Sequence, residues 1–210
     1  MTNICIFASG GGSNFKAIFK QILEGKISGK IVLVISNNPG CDAIKFANSC
    51  SIKILIVNKY RFPISSEREK IILESLIYSK IDLICLAGYM KMLSVNIIKS
   101  YQNKILNIHP ALLPEFGGRG FFGIRVHEAV IKSQNKFSGA TVHFVDEVYD
   151  HGPIILQRKI NINNNENPES LAKRILEIEH QIFPEVVKAF CENRIIIKNN
   201  QIKIMEYNEN

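Results

Sequence analysis

The chain has 210 residues, 46% of them hydrophobic, enough apolar side chain to bury a sizeable core and to exclude an intrinsically disordered protein. No apolar run reaches the roughly 20 residues needed to cross a bilayer, and the N-terminal stretch lacks an export signal's basic region and long apolar core. The five cysteines, Cys5, Cys41, Cys50, Cys85 and Cys191, are odd in number with no CxxC pair, and the net charge of +7 comes from lysines scattered along the sequence. These features argue against a disulfide framework, a zinc knuckle, a membrane partner and a nucleic-acid partner, and lead us to expect one soluble, cytoplasmic domain with reduced, mostly buried thiols.

The predicted elements alternate between strand and helix. Asn3 to Ala8 is a short apolar strand, Ser9 to Asn14 (SGGGSN) a glycine turn, and the following FKAIFKQILEG has helical spacing. Glycines let backbone N–H groups curl toward an anion at a helix N-terminus, so this turn suits a phosphate. A dinucleotide fingerprint fails, because position 15 is Phe15 and the strand Lys30 to Ser36 ends in Asn37 and Asn38 without the ribose-binding acid. No GK[ST] follows the glycines either, which leaves a phosphate monoester as the expected ligand. Asp42 to Cys50 is predicted as a helix, Ile52 to Val57 as a strand, Ser66 to Lys80 as a helix and Ile81 to Ala87 as a buried strand. This rhythm predicts a doubly wound, mostly parallel sheet; in the order 3-2-1-4 the glycine turn would lie beside Gly88 to Leu93 at the switch point.

A short helix from Ser94 to Tyr101 leads to the strand Ile105 to Pro110 (ILNIHP). Alternation puts Asn107 and His109 on one face of it, and Pro110 ends the ladder. The glycine-rich stretch Ala111 to Arg125 reads as a mobile lid. Val126 to Ser133 is predicted as a helix, and Thr141 to Val145 and Pro153 to Ile160 as strands flanking a turn that holds Asp150. The helix Glu169 to Cys191 starts with an Asn167 cap and Pro168, and Pro184 should kink or split it. The tail reads as a β-hairpin around Asn199 and Asn200. A lone histidine after a strand is most often structural. An Asn, a His and an Asp converging at strand ends suit proton transfer with oxyanion stabilisation, the chemistry of acyl transfer.

Taken together, SGGGSN, LAGYMKMLS (Leu86 to Ser94), ILNIHPALLP (Ile105 to Pro114), GATVHFVDEVYDHGPII (Gly139 to Ile155) and LEIEHQIFP (Leu176 to Pro184) resemble the folate-dependent formyltransferase family over almost the whole chain. SGGGSN and the short length are most similar to the members that act on glycinamide ribonucleotide. The resemblance implies an α/β formyltransferase fold with a Rossmann-like N-terminal half, in which residues 1–100 are the phosphate-binding half and residues 101–210 the catalytic and folate-binding half with the C-terminal hairpin. It implies transfer of a formyl group from 10-formyltetrahydrofolate to the amine of glycinamide ribonucleotide, in purine synthesis, by a monomer or homodimer without a metal. By position, His109, Asn107 and Asp150 would be catalytic, and Gly12, Ser13, Asn14 and Glu179 would bind the ribonucleotide. Arg68, Met90, Lys91, Met92, Leu93 and Asn107 would bind the folate, and His143 would border the site. The segment Phe116 to Arg125 is longer than the connection usual in the family, and the segment carrying Arg68 differs in length from the family's. A formyltetrahydrofolate hydrolase would bring an additional N-terminal module and a methionyl-tRNA formyltransferase a C-terminal β domain. A silent sugar-phosphate-binding or RNA-binding module would not need Asn107, His109 and Asp150 together.

Overall fold

The computed structural model describes residues 1–198 and 201–206, and the chain divides into two compact units, Met1–Leu106 and Asn107–Asn210. The first unit runs β1 (Thr2–Phe7), α1 (Ser13–Leu23), β2 (Gly29–Ser36), α2 (Asp42–Ser49), β3 (Lys53–Ile56), α3 (Ser65–Tyr78), β4 (Leu83–Leu86) and α4 (Val95–Ser100), then enters β5 (Ile105–His109). β1 pairs in parallel with β2 and with β4, and β2 with β3, which gives the order 3-2-1-4 and places the end of β1 next to that of β4. Parallel strands joined by crossover helices are covered on both faces and therefore read as unbroken apolar runs. All of β4 is buried, as are the last four residues of β1 and of β2. Phe15 and Phe19 of α1 meet Phe46 of α2 edge to face, with ring centroids 5.0 and 5.4 Å away; such pairs add about 0.5–1.5 kcal/mol to plain burial.

The second unit holds the end of β5, then α5 (Ile124–Lys132), β6 (Phe137–Phe144), β7 (Ile154–Asn161), α6 (Pro168–Cys191) and the antiparallel hairpin β8 (Ile195–Lys198) and β9 (Gln201–Ile204). The sheet order is β3-β2-β1-β4-β5-β6-β7, with β7 antiparallel to β6, a mostly parallel α/β fold as expected. The predicted hairpin turn at Asn199 and Asn200 lies outside the described residues.

Three expectations need correction. β6 begins at Phe137, four residues before the predicted Thr141, because Ser138 and Gly139 masked its start. A Cβ on Gly139 would run into the Arg158 carbonyl of β7 and stand 2.6 Å from Leu112, so the position needs glycine to be in the sheet at all. α5 starts at Ile124, before the predicted Val126, and shortens the expected lid. α6 is continuous through Pro184: Ile182, Phe183, Pro184, Val186 and Val187 are all buried, and that packing outweighs the lost backbone hydrogen bond. Its N-terminus is capped as predicted, with the Asn167 side chain accepting from Ser170 N–H at 2.8 Å. Cys5, Cys41 and Cys85 are buried, and among the described residues no disulfide joins the cysteines. Among the described residues no helix is long and apolar enough to cross a membrane.

Candidate active site

The second unit brings Asn107, His109 and Asp150 together. β5 presents the two side chains two residues apart, and His109 is buried. Asp150 comes from the turn after β6, where its own backbone is left-handed at φ 51. Its Oδ1 accepts from Asn107 Nδ2 at 3.2 Å, its Oδ2 accepts from the Gly118 N–H at 2.9 Å, and Oδ2 stands 3.5 Å from His109 Nδ1. His143 completes the cluster. Its Nδ1 lies 2.7 Å from the Phe144 carbonyl, which can only accept, so Nδ1 carries a proton, and Nε2 stands 3.0 Å from Asn107 Nδ2 and 3.7 Å from Asp150 Oδ1. The amide nitrogen of Asn107 thus lies within hydrogen-bond reach of both His143 and Asp150.

The same logic fixes His109. Its Nε2 is 2.8 Å from the Phe116 carbonyl and must donate, which leaves Nδ1 facing the Asp150 carboxylate. Burial pushes the His109 imidazole below its ordinary range, and His143 adds to that; Asp150 and the Phe116 carbonyl pull the other way without overcoming it. The Asp150 carboxylate thus favours the charged imidazole, but desolvation outweighs it. Burial pushes the Asp150 carboxyl up, but His143, His109 and the Gly118 N–H together hold it below the usual carboxylate value. The resting pair is a carboxylate beside a mainly neutral imidazole.

The presumed lid is tied to this cluster at its start, since Phe116 and Gly118 supply the two backbone contacts just described. Gly117 packs closely here: a Cβ would stand 2.5 Å from the end of the Leu113 side chain and 3.1 Å from the Asp150 Cβ, so both would have to give way. Further on, Phe121 and Phe122 are exposed and the Arg125 guanidinium lies 5.0 Å from the Phe122 ring. Glu179 is buried on α6 in this unit.

The first unit carries the other expected residues. Ser9 joins the glycine turn to the chain after β4: its hydroxyl donates to Asn37 Oδ1 at 2.5 Å and accepts from the Met90 N–H at 2.9 Å. Gly12 precedes α1 at φ 69, and a Cβ there would meet Ala43 of α2 at 2.8 Å. No side chain caps α1, whereas Gly10 and Gly11 face open space. Ser13 opens the helix and Asn14 is buried. A cavity of about 450 Å³ in this unit is lined by Arg68, Lys91, Met92 and Leu93, joined by Lys59 and Tyr60. Arg68 is anchored by Nη1 donating to the Phe62 and Pro63 carbonyls at 2.6 and 2.7 Å. Met90 does not line the cavity; its side chain is exposed and only its N–H is used, on Ser9.

Sequence reasoning missed five participants. The Phe116 carbonyl and Gly118 N–H are backbone groups with no side-chain signature. His127 had one: it sits on the buried face of α5 beside Val126 and Val130, a polar residue in an apolar stripe. Burial, with His109 nearby adding to it, pushes the His127 imidazole down to about 4. Lys59 and Tyr60 lie in a loop whose approach to Arg68 depends on tertiary structure.

The formyl transferase family model matches residues 2–187. A chloroplastic phosphoribosylglycinamide formyltransferase of Arabidopsis thaliana is 39% identical over 208 residues, covering 99% of this chain and 71% of that protein. The phosphoribosylglycinamide formyltransferase of Bacillus subtilis is 35% identical over 188 residues, covering 90% of this chain and 94% of its own. Among solved structures, glycinamide ribonucleotide transformylase 1 from Symbiobacterium toebii superposes with a TM-score of 0.90 at 33% identity, covering 98% of this chain and 95% of that one.

Proposed function

Because this chain belongs to the formyl transferase family, we propose that it moves a formyl group from 10-formyltetrahydrofolate to the amine of N1-(5-phospho-D-ribosyl)glycinamide, a step of purine biosynthesis. The observation that carries the chemistry is the Asn107–His109–Asp150 network, a hydrogen-bond donor and a buried titratable base held beside a half-buried carboxylate.

In this reading the substrate amine attacks the formyl carbon, the carbonyl oxygen takes up negative charge, and collapse breaks the bond to N10. The proton lost by the amine ends on N10, giving the formylated ribonucleotide and tetrahydrofolate. The His109 Nε2–H and the Asn107 amide hydrogens already have partners inside the protein. His109 Nε2–H therefore exchanges the Phe116 carbonyl for the formyl oxygen, and an Asn107 N–H likewise turns to it. Each such donor lowers the barrier by roughly 2.7–4 kcal/mol. The amine's proton passes to N10, and whenever His109 is protonated on Nδ1 the Asp150 carboxylate facing that nitrogen stabilises the imidazolium.

The glycine turn with Gly12, Ser13 and Asn14 would hold the phosphate and Glu179 the ribose hydroxyls. Arg68, Met90, Lys91, Met92 and Leu93 would bind the folate, Met90 through its backbone, and Asn107 would meet its formyl end. Residues 1–100 are thus the phosphate-binding half and residues 101–210 the catalytic half. The proposed reaction needs no metal, nucleic acid or membrane, and we place it in the cytoplasm, in a monomer or homodimer.

Purified protein given both substrates should produce formylated ribonucleotide, while omission of the amine should leave 10-formyltetrahydrofolate intact. Consumption without the amine would mean a hydrolase instead. Ser13→Asp, which sets a negative charge at the phosphate position, should raise the KM for the ribonucleotide tenfold or more, on the order of 1.4 kcal/mol, and leave that for folate within twofold. Equal effects on both substrates would remove the phosphate assignment.

A further inference from the structure

Between His109 and Phe116 the backbone leaves the sheet, and its polar groups need partners. Two side chains supply them. Thr141, fully buried on β6, donates its hydroxyl proton to the Ala111 carbonyl at 2.6 Å and accepts from the Leu113 N–H at 3.1 Å. Gln157 lies directly across the antiparallel pair from Thr141 on β7. Its Nε2 donates to the Leu113 carbonyl at 2.8 Å and to Thr141 Oγ1 at 2.9 Å. The Thr141 hydroxyl is then saturated, with one proton given and two accepted. Since that proton is spent on Ala111, the Gln157 amide must present its nitrogen to Thr141, and its orientation is fixed.

We propose that Gln157 is a positioning residue for formyl transfer: through Thr141 and Leu113 it holds the turn that presents the Phe116 carbonyl to His109. The turn departs from Leu113, clamped on both its N–H and its carbonyl, and ends at Phe116, whose left-handed backbone at φ 54 aims the carbonyl at His109 Nε2 from 2.8 Å. That carbonyl decides which ring nitrogen carries the proton and which faces Asp150. A side chain that never touches the reacting atoms thus sets the tautomer of the one that does. The bulge in the same strand pair, where the register shifts between Val142 and His143, is consistent with this arrangement: it re-aims the end of the pair beside the site. The inference rests on the formyl-transfer reading for its rate prediction, but not for its effect on His109.

Gln157→Leu keeps the bulk and removes both hydrogen bonds. In it, kcat for the ribonucleotide should fall about tenfold, the cost of a loosened near-attack geometry, with both KM values within twofold of the parent. His109, titrated by NMR in the ligand-free protein, should move further down, because the Phe116 carbonyl that favours its charged form is no longer held against it. The other groups facing His109, namely Asp150, His143 and His127, are untouched, so the movement reports that carbonyl. Thr141→Val should repeat both effects, and Thr141→Ser, which restores the hydroxyl, should recover most of what Thr141→Val loses. A lowered melting temperature with unchanged kcat and unchanged His109 titration would overturn the proposal and leave Gln157 a merely structural residue; a rise in KM alone would overturn it as well. If the parent protein transferred no formyl group, the functional reading would fail, and the His109 titration would still decide the positioning claim.

Discussion

The turn that delivers Asp150 is held against β6 by an approach only glycine permits, and Gly152→Ala tests what that approach is for. A methyl at position 152 would overlap the Phe144 carbonyl oxygen and stand 2.9 Å from its carbon and 3.2 Å from the Asp146 nitrogen. Carbon atoms in ordinary contact sit about 3.5–4.0 Å apart, so the turn must back away by roughly 1 Å. Asp150 reaches Asn107 at 3.2 Å and His109 at 3.5 Å, with no slack for such a displacement. Overpacking of this kind costs about 1–3 kcal/mol of stability, which a folded domain of this size tolerates. A misplacement of about 1 Å at a reacting centre costs on the order of 10²-fold in rate. We therefore expect a protein folded at 25 °C, with a lowered melting temperature and kcat reduced about a hundredfold, and KM for the ribonucleotide near that of the parent. Steady-state kinetics beside a thermal melt separate the two effects. A Gly152→Ala protein that is destabilised yet turns over within threefold of the parent would refute the reasoning, since Asp150 would then act without needing its measured distances.

His127 makes an acid-stability prediction. Its folded-state pKa of about 4 lies below the ordinary 6.5, so on acidification the unfolded chain takes up the proton first; its contribution is whole above pH 6.5 and is lost progressively down to about 4. At 1.36 kcal/mol per pH unit this amounts to about 3 kcal/mol, and His127→Leu should flatten the acid limb of urea-unfolding stability by that amount; an unchanged limb would contradict it. In the first unit, Met92→Asp puts a charge in the wall of the Arg68–Lys91 cavity and should raise the folate KM at least tenfold, or about 1.4 kcal/mol, against little change for the ribonucleotide. Similar rises in both would mean that Met92 serves packing alone.

Much of this was legible in the sequence because the signals were local. The apolar runs of β1, β2 and β4 and their intervening helices pointed to a parallel, doubly wound sheet, since a sheet buried on both faces has strands without polar alternation. Asn107 and His109 could be paired from strand period alone. Asp150 was identifiable as a turn acid, but its distance from His109 depends on how closely Gly152 lets the turn approach Phe144. What stayed hidden belongs to the backbone or to long-range pairing. The Phe116 carbonyl carries no side-chain mark, Gln157 reads as an ordinary strand residue until it is placed opposite Thr141, and the sign of the His109 shift follows from burial, which one charged neighbour cannot reveal.

Ser9 has a consequence beyond holding a loop in place. One hydroxyl is shared between Asn37, after β2, and the Met90 N–H, after β4, so the glycine turn cannot shift without pulling on the chain that leads into the Arg68–Lys91 cavity. Thermodynamic linkage then makes the two stations a single device. Whatever factor an occupied glycine turn adds to affinity in the cavity, an occupied cavity adds to affinity at the turn, whichever ligand arrives first. The small side chain at position 9 is thus the physical joint between the glycine turn and the chain that leads into the cavity.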